Sequence, residues 1–274
     1  MSATTGADTK IAAALGSAER PAQASAATAS LTFGWRALLK IKHVPEQLFD
    51  VTMFPIMFIL MFTYVFGGAI ADSPSEYLPF VFPGILVQTV LMITMYTALT
   101  INNDIKKGVF DRIRSLPIWR PSLLVGSLLG DMLRYATASV VIFTVALLMG
   151  YRAPGGVTGA LATVALLLVF CFSLSWVWTL LGLKMRTQES LMGVSMMILF
   201  PLTFISNVFV PAESMPGWLE AFVSVNPVSH LVDAARGFLG GSPDGQAVVT
   251  VLIMSAVLVL IFGPLTMRAY ARKS

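Results

Sequence analysis

The sequence predicts an all-α membrane protein with six transmembrane helices, and three observations carry that prediction. Of the 274 residues, 56% are hydrophobic and only 12% charged, with a mean hydropathy of +0.80; a soluble domain carries roughly 25% charged residues. Six apolar stretches, at about 48–71, 78–101, 124–149, 157–182, 190–211 and 246–267, approach or exceed the roughly 20 residues that a helix needs to cross a bilayer. Finally, 15 of the 18 Lys and Arg fall on one side of the resulting topology, which makes that side cytoplasmic and puts both termini inside. Arg152 and Arg236 fall outside, and Arg134 falls within a span. The outer loops instead hold Asp72, Glu76, Glu213, Glu220, Asp233 and Asp244.

The same composition excludes several function classes. A formal charge of +4 could suggest nucleic acid, but the cations sit in short loops between apolar spans rather than on one face, so they report topology. A single cysteine, Cys171, lies in an apolar run and allows neither an intrachain disulfide nor a cysteine metal cluster. His43 and His230 fall on opposite sides of the membrane, so no metal site is expected.

In chain order, residues 1–30 are rich in Ala, Ser and Thr and read as a disordered cytoplasmic tail; residues 31–274 form one transmembrane domain. From Leu31 to His43 an amphipathic helix is expected at the interface, with Leu31, Trp35, Leu38 and Leu39 on one face and Arg36, Lys40 and His43 on another. Spans two and five are the polar ones. Gln88, Tyr96 and Thr97 in the first, with Ser195, Thr203 and Asn207 in the second, are candidates for a substrate pathway, although hydroxyls and amides also serve ordinary helix packing. Pro201 is a candidate kink.

Between spans two and three, the stretch Asn102 to Pro121 is the densest block of charge. As a helix it sets Ile105, Val109, Ile113 and Leu116 opposite Lys107, Asp111 and Arg114, with Asn102, Asn103 and Asp104 as capping residues near its start. It reads as a cytoplasmic docking element. Asp131 and Arg134 are three residues apart and neighbours on one helical face. Because the run from Leu123 to Met149 exceeds one crossing, the two are expected at the interface, as a local ion pair or with Arg134 snorkelling, with a role in coupling or substrate contact as the alternative. Methionines recur at Met53, Met57 and Met61 and at Met192, Met196 and Met197, suiting either a surface for varied apolar molecules or gap filling.

Pro211 to Gly241 is too polar to span and too apolar for a free loop. Two short helices are expected there. The first is capped by Ser214 and has Trp218, Leu219 and Phe222 on its apolar face; the second carries Asp233 and Arg236 as an i,i+3 pair and ends at Gly240 and Gly241. Together they read as a re-entrant outer cap that packs on the bundle or lines a cavity.

Three motifs, YLPFVFPGILVQT at Tyr77 to Thr89, NNDIKKGVFDRIRSLPI at Asn102 to Ile118, and FISNVFVPAESMPGWLEAFVSVNPVSHLVDAARGF at Phe204 to Phe238, resemble those of the permease subunits of type 2 ABC exporters, in the drug-export branch typified by daunorubicin resistance permeases. That resemblance implies a coupling helix between spans two and three and two facing permease domains, as a homodimer or heterodimer. It further implies separate ABC ATPase subunits that bind the ATP and Mg. The docking surface would comprise Trp35, Arg36 and Lys40 of the interface helix and Lys106, Lys107, Phe110, Asp111, Arg112 and Arg114 of the coupling helix. No G-x-x-x-x-G-K-[ST] phosphate loop occurs in the chain, in keeping with a motor on another polypeptide. The expected protein is then a multi-pass cell-membrane permease, not an enzyme, contacting lipid and moving a hydrophobic or amphipathic small molecule outward. Export of a lipid or lipid-linked glycan is the alternative. An ion-coupled secondary transporter would need ionisable groups near the bilayer centre, which only Asp131 and Arg134 approach.

Overall fold

The computed structural model describes residues 55–70, 73–109 and 122–273, together with residues 32 and 53. Among the described residues every regular element is helical: α1 (Pro55–Phe66), followed by a further short segment Gly67–Ile70, α2 (Pro74–Lys106), α3 (Ser122–Leu148), α4 (Gly156–Lys184), α5 (Gln188–Phe204), a 3-10 turn Ala212–Ser214, α6 (Gly217–Val225), α7 (Pro227–Gly240) and α8 (Gly245–Lys273). The last turn of α1 widens into a π-helix, Phe62–Phe66. Among the described residues, four helices are long and apolar enough to cross a membrane: α2, α3, α4 and α8. The protein is an all-α membrane protein, with α1 and α5 as shorter apolar helices.

The bundle is organised around α2, which packs against α3, α4, α5 and α7, while α8 lies along α4. Lipid tails are as apolar as leucine, so helices associate in a bilayer through close packing and internal hydrogen bonds. Both are present: Trp178 is fully buried on α4 and its indole Nε1 donates to Thr94 Oγ1 of α2 at 2.7 Å. The end of α2, the start of α3 and the ends of α4 and α8 share one end of the bundle, where Ile101, Leu124, Leu183 and Tyr270 pack together. This basic end carries Lys106, Lys107, Lys184, Arg186, Arg268 and Arg272; the opposite, cap end carries α6 and α7.

Two boundaries differ from the sequence expectation for reasons visible in the packing. First, α2 does not stop near residue 101 but runs to Lys106, so Asn102, Asn103 and Asp104 are not caps of a new helix. Asn102 is buried inside α2 and its Nδ2 donates to the carbonyl oxygens of Gly182, at 3.3 Å, and Met185, at 2.7 Å, tying α2 to the end of α4. Second, the helix of span five ends at Phe204 instead of continuing to 211. Its end is closed from the cap, where Asn226 Nδ2 donates to the carbonyls of Leu202, at 2.8 Å, and Ile205, at 2.6 Å. The chain from Ile205 to Val210 is irregular but mostly buried, and such backbone is tolerated at membrane depth where protein satisfies it.

The cap has the two expected helices with one change of cap. Ser214 Oγ donates to the Pro211 carbonyl, and Pro216, not Ser214, stands at the N-cap of α6. Asn226 caps α7, its Oδ1 accepting from Val228 N at 2.9 Å. Gly241 ends α7 with φ +81, a left-handed conformation that glycine adopts without steric cost. α7 packs onto α4, α8 and α2; Gly159 of α4 lets it approach so closely that any side chain at 159 would collide with the Phe238 carbonyl. By contrast, Trp218 and Phe222 of α6 are exposed. The interface helix and the tail lie outside the described residues, as does the coupling stretch beyond Val109.

Candidate functional site

Three polar or polarizable constellations stand out along α2, and their residues come from different helices for simple geometric reasons. Midway along the bundle, α2 and α5 diverge around a cavity of about 270 Å³ lined by Thr89, Met92, Ile93, Met95, Tyr96, Met192 and Met196. On α2 the pair Met92 and Tyr96, and on α5 the pair Met192 and Met196, are four residues apart, so each pair occupies one helical face. Met192 and Met196 are partly exposed. A lining of unbranched thioethers with one phenol can re-shape around apolar ligands of different outline.

Of the six candidate pathway residues, only Tyr96 reaches this cavity. Gln88, Thr97, Ser195 and Thr203 are buried, with Thr203 Oγ1 donating to the Leu199 carbonyl at 2.8 Å, and Asn207 belongs to the cap. Sequence polarity selected hydroxyls and amides, whereas the cavity wall is made of methionine. The signal that would have found it was already present in the i,i+4 recurrence of Met192 and Met196.

Deeper in the bundle lies a buried network. Asp131 and Arg134 of α3 form an ion pair at 3.0 Å with side chains only 3% and 7% exposed, so the pair is enclosed within the bundle. Asp131 Oδ2 accepts from Thr97 Oγ1 at 2.6 Å. Thr97 also pairs with the Tyr135 hydroxyl at 2.9 Å, which pairs with Ser175 Oγ at 2.9 Å. The chain of hydrogen bonds thereby crosses α2, α3 and α4. Arg134 Nε and Nη1 make no hydrogen bond among the described residues. The expected local ion pair is present, and the packing of α2 and α4 against α3 buries it, which periodicity within α3 alone does not reveal. Tyr135 and Ser175 were not anticipated.

At the cap end, Arg236 acts as a clamp. Its Nε donates to the Phe80 carbonyl at 3.2 Å, and its Nη2 donates to the carbonyls of Asn207, at 2.8 Å, and Val208, at 3.3 Å. The guanidinium lies 3.9 Å from the centre of the Phe80 ring, a cation–π contact. Asp233 approaches Arg236 Nη1 at 3.6 Å and accepts from Asn207 Nδ2 at 2.6 Å. Nearby, the Tyr77 hydroxyl donates to the Phe209 carbonyl at 2.9 Å. The irregular stretch after α5 is thus tied to both α7 and the start of α2. Burial raises the Asp233 carboxyl above its ordinary value, opposed by Arg236 and the Asn207 amide. Burial likewise lowers Arg236, to about 10, against the attraction of Asp233, so the guanidinium stays charged at neutral pH.

Of the candidate docking residues, Lys106 and Lys107 are described, exposed at the basic end where α2 terminates. Trp35, Arg36, Lys40, Phe110, Asp111, Arg112 and Arg114 lie outside the described residues. Among the described residues, no group of three or more His, Cys, Asp or Glu side chains is arranged to hold a metal ion.

A helical bundle with a continuous central helix, a re-entrant cap and a basic end agrees with what sequence comparison finds. The ABC-2 type transporter family model matches residues 28–239. The chain belongs to that family. Relatives include the daunorubicin resistance ABC transporter permease protein DrrB1 of Streptomyces coeruleorubidus, 50% identical over 260 residues, which cover 95% of this chain and 92% of that protein. The probable doxorubicin resistance ABC transporter permease protein DrrC of Mycobacterium tuberculosis is 24% identical over 208 residues, 76% of this chain and 75% of that protein. The probable multidrug ABC transporter permease YbhR of Escherichia coli is 22% identical over 163 residues, 59% and 44% of the respective chains. The chain is therefore an ABC permease subunit of the membrane, in a family whose members work with an ABC ATPase.

Proposed function

We propose that this permease subunit exports a hydrophobic or amphipathic drug across the cell membrane, driven by a separate ATPase. The observation that carries the reading is the 50% identity over 95% of the chain to a daunorubicin resistance permease. The methionine-lined cavity between α2 and α5 supplies a surface of matching chemistry. In this reading the basic end faces the cytoplasm and the cap faces outward. The chain works as one half of a permease dimer.

The geometry suggests how work at one end reaches the other. α2 is one helix from Pro74 to Lys106, with the Arg236 clamp at its first turns, the cavity at Thr89 to Tyr96, the buried network at Thr97 and the docking lysines at its end. From Tyr96 to Lys106 is about 15 Å along the axis, at about 1.5 Å per residue. A push on Lys106 and Lys107 by the ATPase therefore moves the cavity wall as part of a rigid body, and the clamp transmits that motion to the cap. ATP and Mg are bound by the partner, and this chain's contribution is conformational.

The test is drug accumulation in cells that express the permease with its ATPase, wild type or hydrolysis-dead, using daunorubicin as the probe. Lower accumulation only with the active ATPase supports the reading. Equal accumulation in both contradicts it, and ATPase-dependent transfer of lipid or lipid-linked glycan in its place transfers the function to the alternative cargo.

A further inference from the structure

A second pocket, also about 270 Å³, opens at the cap where α6, α7 and the irregular stretch after α5 converge; its polar lining comprises Asn207, Glu220, Ser224, Ser229, His230 and Asp233, with Glu220 and Ser224 on the exposed side. Several of these groups are acceptors with nothing to accept. Asn207 must turn its Nδ2 toward the Asp233 carboxylate, to which it donates at 2.6 Å, because the reverse orientation would set oxygen against oxygen. Its Oδ1 is thereby left as an acceptor; the residue is only 6% exposed and that oxygen has no hydrogen bond. Ser229, 3% exposed, likewise has an unpartnered Oγ. Asp233 spends one carboxylate oxygen on Asn207 and Arg236 and has the other to offer. The Glu220 carboxylate completes the wall.

The nearest guanidinium, Arg236, meets only the Asp233 Oδ1 edge of this cavity, at 3.6 Å. Arg236 gives its donors to the carbonyls of Phe80, Asn207 and Val208 and lies over the Phe80 ring. What remains facing the cavity is the Glu220 and Asp233 carboxylates, the unpartnered Asn207 Oδ1 and the unpartnered Ser229 hydroxyl, beside the His230 imidazole. Such a site demands a compact cation with several N–H donors, and a protonated primary amine has three of them. A metal ion is a poor fit, since no suitable group of three ligating side chains exists among the described residues. The lining of this pocket is polar where that of the equally large α2–α5 cavity is apolar, so it suits the ammonium head of an amphiphile and not the apolar body.

We infer that the cap cavity is a binding site for the protonated amino group of the exported molecule, which selects amine-bearing amphiphiles at the outer end of the pathway. The inference rests on the export reading only in making the amine part of the cargo.

The experiment uses the full-length permease in lipid nanodiscs and a matched probe pair, dansylcadaverine, which carries a primary ammonium, and its neutral N-acetyl derivative, with binding read by dansyl fluorescence. Wild type should prefer the amine by about tenfold or more, the scale of a charge-assisted hydrogen bond. Glu220→Gln should remove most of that preference without touching the Asn207–Asp233–Arg236 contacts. Ser229→Val, which fills the cavity, should do the same, and the neutral probe should bind all forms alike. Equal affinity for the two probes, or an amine preference that survives both substitutions, overturns the inference. Adding the ATPase separates the two ideas. Amine-selective binding without ATP-driven export retains the site and removes the export reading; export of daunorubicin with no amine preference at Glu220 does the reverse.

Discussion

The bundle and the cap each contain an aspartate followed three residues later by an arginine, and the two pairs behave differently. Asp131 and Arg134 are enclosed between helices, 3.0 Å apart, and the aspartate extends the pair into a run of hydroxyls. Asp233 and Arg236 are 3.6 Å apart, with the aspartate side chain 44% exposed, and the arginine bonds mainly to backbone carbonyls and an aromatic ring. The same spacing thus yields a charge pair that locks side chains of three helices in one place and a backbone clamp in the other. What surrounds the pair decides its role, not the i,i+3 register that makes the pair possible.

The comparison sharpens most at Arg134. Replacing it with Met leaves the Asp131 carboxylate buried and unpaired, and the expected loss is about 3–5 kcal/mol in unfolding from bicelles. The double variant Asp131→Leu with Arg134→Met should recover much of it, because removing both charges removes the burial penalty as well. A single variant as stable as wild type would mean that the pair is not enclosed. At Arg236, Ala should cost about 2–3 kcal/mol through lost charged hydrogen bonds, and Lys should restore only part, since an ammonium lacks the planar fork that reaches several carbonyls. Full recovery with Lys would reduce the clamp to a point charge.

Asp233→Asn should change stability by no more than about 1 kcal/mol, because it removes a half-exposed partner from a pair already tilted toward backbone contacts. Its pH dependence has a definite sign. Burial raises the folded Asp233 above its unfolded value, so the charged form costs stability at neutral pH, and that cost lifts as pH falls through the folded value. Wild type should therefore gain on Asp233→Asn as the solution is acidified; a gain on raising the pH would reverse the assignment. Smallest of all, Lys106→Glu with Lys107→Glu should alter stability by about 0.5 kcal/mol or less, yet weaken co-purification of the ATPase. Unchanged co-purification would remove these lysines from the docking surface.

The architecture was legible because apolar length and the distribution of cations are set by the bilayer, and both are one-dimensional properties of the chain. The cap was legible through Asn226, Pro227 and Gly241, whose backbone preferences are local. What was not legible depended on which helix faces which. Asn102 looks like a cap and is instead a bond from α2 to α4; the Asp131–Arg134 pair is readable from its spacing, but its enclosure by α2 and α4 is not. The cavity was legible only in part: the recurrence of Met192 and Met196 offered a surface for apolar molecules, whereas Met92 and Met95 of α2 join it only through the packing of the two helices.

The most direct measurement of the central claim is daunorubicin uptake into inverted membrane vesicles that contain the permease and its ATPase, with ionophores present to collapse proton and sodium gradients. Uptake that requires ATP and a hydrolysis-competent ATPase, and that ignores the ionophores, is the predicted result. Uptake that persists without ATP and disappears when the gradients collapse would contradict it.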